Sequence, residues 1–170
     1  GVFQLLNKRT GEFTTEDENF ITALSIHASL AIENARLYEE EKALAGIREE
    51  LRLAAKIQMD LLPKTVPAVE GYELAGTSIP AQMVGGDYFD FIRLEHGRMG
   101  VCLGDVSGKG MPAALLMANL QATLRGQTLL DGDVAGTVRR SNRLLYETTS
   151  PEKFVTLIYG ALDPKKHTFR

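Results

Sequence analysis

One cysteine, Cys102, is all that 170 residues contain. An internal disulfide framework and a cysteine-rich zinc site are therefore excluded, and a reducing cytoplasm is the expected setting. Long apolar runs are missing too: none approaches the ~18 residues of a membrane-spanning helix. Nor is there a basic block. With 19 Lys+Arg against 22 Asp+Glu and a net charge of −3, nucleic acid is not expected as the main partner. The three histidines, His27, His96 and His167, are too scattered to suggest a metal-ligand spacing. What remains is an ordinary globular mix of 44% hydrophobic and 24% charged residues, unlike a disordered tail or a fibrous repeat.

Proline is absent before Pro63, and that absence shapes the first third of the chain. Residues 2–6 read as a buried strand, followed by a polar turn at 7–11. Thr15 with Glu18 fits a capping box, and Glu16, Asp17 and Glu18 suit the positive end of a helix dipole. The helix that follows is apolar at Phe20, Ile21, Leu24, Ala28, Ala31 and Ile32. Uninterrupted to the proline, it would run ~47 residues and ~70 Å, too long for a compact domain. Leu30, Leu37, Leu44 and Leu51 recur every seventh residue. The companion seam is polar at Glu33 and Glu40, then apolar at Ile47, Ala54 and Leu61. Such a repeat favours a left-handed two-helix coil, so a homodimer through this helix is expected. A single amphipathic helix packed on its own domain is the plainer alternative.

After Pro63 the pattern turns to strands, at Tyr72–Ile79, Asp87–Leu94 and Met99–Val106, with His96-Gly97 as a hairpin turn. Helical spacing follows over Met111–Leu130 and Val134–Tyr146. Phe154–Leu162, apolar on both faces, reads as an interior strand. Strands followed by paired helices predict an α+β layer on an antiparallel sheet.

Two glycine-and-aspartate clusters bracket the hairpin: Val84-Gly85-Gly86-Asp87-Tyr88-Phe89-Asp90 and Gly104-Asp105-Val106-Ser107-Gly108-Lys109-Gly110. Asp87 and Asp105 lie equally far on either side of His96, so hairpin pairing sets their carboxylates side by side. At ~4 Å and an effective dielectric of 20 they would repel by about 4 kcal/mol, which a shared proton or a cation can relieve. Oxygen donors without His or Cys favour magnesium, manganese or calcium over zinc. The glycines allow positive φ and close backbone approach, and a carbonyl next to Asp105 could add a ligand. Alone, each cluster reads as an Asp-Gly turn; paired, they read as a metal site.

Other matches are weaker. Gly104 to Lys109 spells G-x-x-x-G-K, one residue short of a phosphate-cradling loop, with Gly110 where Ser or Thr should stand. Gly85-Gly86-Asp87-Tyr88-Phe89 is similar to the GG(D/E)EF signature of cyclic-dinucleotide synthases, but Tyr88 replaces its acidic residue. Cys102 reads as a buried small hydrophobe.

Three ordered motifs carry a more specific resemblance: Ile57-Gln58-Met59-Asp60-Leu61-Leu62-Pro63, then the cluster from Val84 to Asp90, then Gly104 through Met111-Pro112-Ala113-Ala114-Leu115. Together they resemble the SpoIIE/RsbU-type serine/threonine phosphatases of the metal-dependent PPM class. Residues 1–42 resemble the last strand and C-terminal helix of a GAF sensor domain, through Gly1-Val2-Phe3-Gln4-Leu5-Leu6-Asn7-Lys8 and Ala31-Ile32-Glu33-Asn34-Ala35-Arg36-Leu37-Tyr38. The implied organisation is a GAF C-terminal part at 1–42, a helical coiled-coil linker at 43–63, and the N-terminal part of an α/β/β/α phosphatase sandwich at 64–170.

The resemblance further implies two magnesium or manganese ions, with Asp87 and Asp105 as the catalytic metal-binding pair. Asp105 would bridge the ions, the carbonyl of Val106 would complete one coordination sphere, and Asp87 would bind through a metal water. A bridging water would then attack phosphorus in line. The implied substrate is a phosphoserine or phosphothreonine on a STAS-type regulator of a sigma-factor switch. Two departures stand out. Ser107 occupies the place of a His that many animal relatives carry, so the general acid is unassigned. The family's later metal aspartates belong to a second half that these residues do not include. The chain is accordingly read as a segment of a longer polypeptide, binding metal weakly and turning over negligibly alone. A non-catalytic dimeric signalling module is the alternative.

Overall fold

A computed structural model describes residues 2–130 and 133–170. Gly1, with which the GAF-like segment was read to begin, lies outside the described residues. The chain divides into two compact units, Gly1–Glu50 and Leu51–Arg170. One helix, α1 (Thr15–Leu61, 47 residues), runs through the boundary between them. No helix among the described residues is long and apolar enough to cross a membrane.

In the first unit, residues 2–6 form no strand and are exposed, Val2 at 95%. That corrects the expected buried strand: a strand is held by a pairing neighbour, and the described residues offer none. The helix cap also differs by one residue from expectation. Thr14 and Asp17, not Thr15 and Glu18, form the reciprocal pair: Thr14 N and Oγ1 donate to the Asp17 carboxylate at 2.7 and 2.9 Å, and Asp17 N donates to Thr14 Oγ1 at 3.4 Å. Lys8 reaches the same carboxylate. That ion pair, ahead of the Thr14 hydrogen bonds, holds Asp17 down to about 2.

In the second unit the hairpin forms as the sequence predicts: β1 (Asp87–Arg93), a 3-10 turn at Glu95–Gly97, and β2 (Met99–Val106). His96 takes φ 59° at the turn. Helices α2 (Met111–Thr128) and α3 (Val134–Thr148) follow, then β3 (Val155–Asp163) and the short β4 (Thr168–Phe169). The sheet is antiparallel throughout, in the order β1-β2-β3-β4. The architecture is α+β.

Alternation along the strands decides what each face does. Tyr88, Ile92, Cys102 and Val106 point to the helices and form the core with Met117, Leu120 and Leu124 of α2. Burying each large aliphatic side chain there contributes roughly 1.5–3 kcal/mol. The other face carries Asp87, Leu103, Asp105, Thr156 and Ile158, with Leu103 59% and Ile158 66% exposed. β3 is interior in the sheet order, as expected, although only one of its faces is covered.

Tyr72–Ile79 is not a strand. Its first residue, Tyr72, makes only an isolated bridge, with Val69, and the segment passes close enough over Phe89 that a Cβ at Gly76 would lie 2.5 Å from the ring. Its backbone finds no ladder among the described residues, so apolar pattern alone does not make it a strand.

Candidate functional site

The register of β1 and β2 pairs Asp87 directly with Asp105. Opposed residues of an antiparallel pair share a face, with Cα atoms about 4.5–5.5 Å apart. Both aspartates are exposed, and neither carboxylate hydrogen-bonds or ion-pairs with another described residue. Water therefore screens them, and the repulsion anticipated at about 4 kcal/mol falls toward about 1 kcal/mol. The two acids stand at the end of the uncovered face, open to a cation.

Backbone geometry tightens around the pair. Val106 N donates to Gly86 O at 3.3 Å, and a Cβ at Gly86 would come within 2.9 Å of the Val106 carbonyl oxygen and 3.3 Å of Ala113 Cβ. Gly86 is thus required for close approach of three segments, not for positive φ. Positive φ is used further on, at Gly108 (97°) and Gly110 (70°), where the chain turns from β2 into α2. Pro112 then occupies the first turn of α2, where its missing N–H costs nothing.

Two supports for this edge, Gln58 and Ser107, stand in the motifs named from the sequence, which gave neither a structural role. The buried Gln58, near the end of α1, clamps the loop ahead of Asp87: its Nε2 donates to Gly85 O at 2.6 Å and its Oε1 accepts from Gly85 N at 3.1 Å. The signal that could have found it is its place in the motif running from Ile57 to Pro63. On the other side, Ser107 N donates to Phe154 O at 2.9 Å, and Phe154 N donates to Ser107 Oγ at 3.0 Å. Ser107 is therefore tied to the start of β3.

Asp90, in the same cluster as Asp87, is separated from it by the pleat. It is 0% exposed on the helix side, where Arg125 grips both carboxylate oxygens at 2.6 and 2.7 Å. Tyr88 Oη and Phe91 N each donate to it at 2.8 Å. Burial, then neighbouring negative charge, pushes the Tyr88 phenol far above its ordinary range, so it stays a donor. Burial pushes the Cys102 thiol up to about 12, and it remains a packed thiol. Asp90 is thus a core ion pair beneath the sheet.

Asp87, Asp105 and the Val106 carbonyl are hard oxygen donors, fitted to magnesium or manganese rather than zinc. Among the described residues no group of three or more His, Cys, Asp or Glu side chains gathers, so these residues fit such an ion without enclosing it.

Residues 95–170 match the family model described as Stage II sporulation protein E (SpoIIE). The phosphoserine phosphatase RsbU of Bacillus subtilis is 27% identical over 156 residues, covering 89% of this chain and 46% of that protein. The matched residues are thus similar to phosphatases of the SpoIIE/RsbU type. Protein IcfG of Synechocystis is 32% identical over 85 residues, 48% of this chain and 13% of that protein. A crystal structure of the RsbU and RsbW domains of Rv1364c from Mycobacterium tuberculosis is similar at 31% identity and a TM-score of 0.44, over 49% of this chain and 23% of that one. The chain spans less than half the length of these relatives.

Proposed function

We propose that the chain contributes the first metal-binding edge of a metal-dependent serine/threonine protein phosphatase. The observation that carries this is the register pairing of Asp87 with Asp105 on the open face. Its support is the match of residues 95–170 to the SpoIIE family model and the name of the Bacillus relative, a phosphoserine phosphatase. Asp105 and the Val106 carbonyl would hold two magnesium or manganese ions from β2, and Asp87 would reach them through water. Such ions, when bound, supply Lewis acidity toward the phosphoryl group and toward the attacking water. The chain's own part is positional. Gln58 and Ser107 anchor the loops on either side, and Gly86 lets β2 approach.

Two carboxylates and a carbonyl cannot cage two ions, so these residues alone bind metal weakly and turn over negligibly. The substrate is a phosphoserine or phosphothreonine on a STAS-type regulatory protein. Residues 1–42 are the end of a GAF sensor, and the exposed Leu30, Leu37 and Leu44 belong to a homodimer seam through which sensor state reaches Gln58 and the Gly85 loop. Calorimetric titration of manganese into the complete protein tests the core reading. Saturable binding, lost in Asp105→Asn, is expected; identical binding in that variant would refute it. The exposed seam also favours a second reading, a non-catalytic dimeric signalling module, for which neither protein binds manganese.

A further inference from the structure

A cavity of about 620 Å³ lies between α2, α3 and β3, on the helix side of the sheet. Its volume is within the ordinary range of small-molecule sites. Leu116, Leu120, Leu145 and Leu157 give it apolar walls, and Lys153 is the one charged lining residue among the described residues. Ser141, also in the lining, is 2% exposed, yet its Oγ has no hydrogen-bond partner among the described residues. A buried hydroxyl left unpaired costs about 1–3 kcal/mol. Packing therefore does not account for a serine on this face of α3, between Val138 and Leu145.

We propose that this cavity binds a small amphipathic carboxylate that carries a hydroxyl at its apolar end. The apolar body lies against the leucines, the hydroxyl exchanges a hydrogen bond with Ser141, and the carboxylate meets the exposed Lys153. A lining with a cation and, among the described residues, no acid selects an anion, and the buried hydroxyl selects a polar tip over a bare hydrocarbon. The site also touches the proposed metal edge. Its wall includes Phe154, which is hydrogen-bonded in both directions to Ser107, two residues beyond Asp105. Occupancy would stiffen that loop. Binding itself rests on no metal chemistry.

The test is a titration of the complete protein, followed by amide NMR, with three probes: 3-(4-hydroxyphenyl)propionate, 3-phenylpropionate, and 3-(4-hydroxyphenyl)propionamide. The first should saturate, with shifts confined to α2, α3 and residues 149–157. The other two, lacking hydroxyl or charge, should bind roughly 3- to 10-fold more weakly, the span of one hydrogen bond or one exposed ion pair. Ser141→Ala should erase the discrimination by hydroxyl and Lys153→Met the discrimination by charge, each leaving the other intact. Because the Ser141 hydroxyl is unpartnered, Ser141→Ala should melt no lower than the parent. No saturation by any probe, equal affinity for all three, or a lower melting temperature for Ser141→Ala would each overturn the proposal. Exchange of the Ser107 and Phe154 amides should slow on binding; unchanged exchange would overturn the link to the Asp105 loop.

Discussion

Gly86→Ala separates steric necessity from glycine preference. The added Cβ would lie 2.9 Å from Val106 O, 3.1 Å from Val106 Cβ and 3.3 Å from Ala113 Cβ. None of these atoms is the free end of a flexible side chain, so backbone must move. Overpacking of this kind costs about 1–3 kcal/mol, of which the stiffer unfolded chain returns about 0.4–1 kcal/mol. The net loss, about 1–2 kcal/mol, should lower the melting temperature by roughly 3–6 °C for a chain of this size. Gly46→Ala and Gly126→Ala are the controls, since both lie within helices and have nothing within 4 Å of the new methyl. Each should gain up to about 1 kcal/mol. The same chemical change thus carries opposite signs, readable by circular dichroism melts. In the complete protein, displacement of the Val106 carbonyl should also weaken manganese binding measured by calorimetry. A Gly86→Ala protein as stable as its parent, with unaltered manganese affinity, would refute the close-approach argument.

Gln58→Ala removes two hydrogen bonds to Gly85 and should cost about 2 kcal/mol, visible as a lower urea midpoint, with weaker manganese binding in the complete protein. Arg125→Met strands the buried Asp90 carboxylate. Loss of a buried partner costs 3–5 kcal/mol, but Arg125 is 48% exposed and Tyr88 and Phe91 still donate, so about 2–3 kcal/mol is expected in the same assay. Asp17, held down to about 2 against an ordinary 3.8 by Lys8 and Thr14, has its folded pKa below its unfolded one. Its contribution is full above about 4 and disappears as pH falls through about 2; a carbon-13 carboxyl titration should show a midpoint near 2 that Lys8→Ala raises. Cys102, with its thiol raised to about 12 by burial, should resist thiol reagents at pH 8 in the folded chain and react fully in urea. Rapid labelling without denaturant would show that the sheet opens locally.

Elements with their own periodicity and punctuation were legible in the sequence. The 47-residue α1 has no proline and a single glycine, Gly46. The hairpin has its turn at His96-Gly97, and from that symmetry Asp87 and Asp105 had to meet. Legibility failed where partnership decides the outcome. Residues 2–6 and 72–79 have strand-like patterns, but a strand exists only by hydrogen bonds to a neighbour that local pattern cannot supply. The cap moved from Thr15 to Thr14 because Lys8 and Asp17 settle the entry of α1 together.

What the residues by themselves determined is the order of helices and strands, the hairpin register, and hence the pairing of two acids on one face. Those are short-range consequences of a period of two along strands and of a symmetric turn. Tertiary structure alone decided that Asp90, three residues from Asp87, would be sealed beneath the sheet against Arg125. It likewise decided that Gln58 would hold the Gly85 loop, and that Ser141 would face a cavity without a partner. Each of these depends on which distant side chain arrives across the interface, and that is settled by packing of whole elements rather than by any local run of sequence.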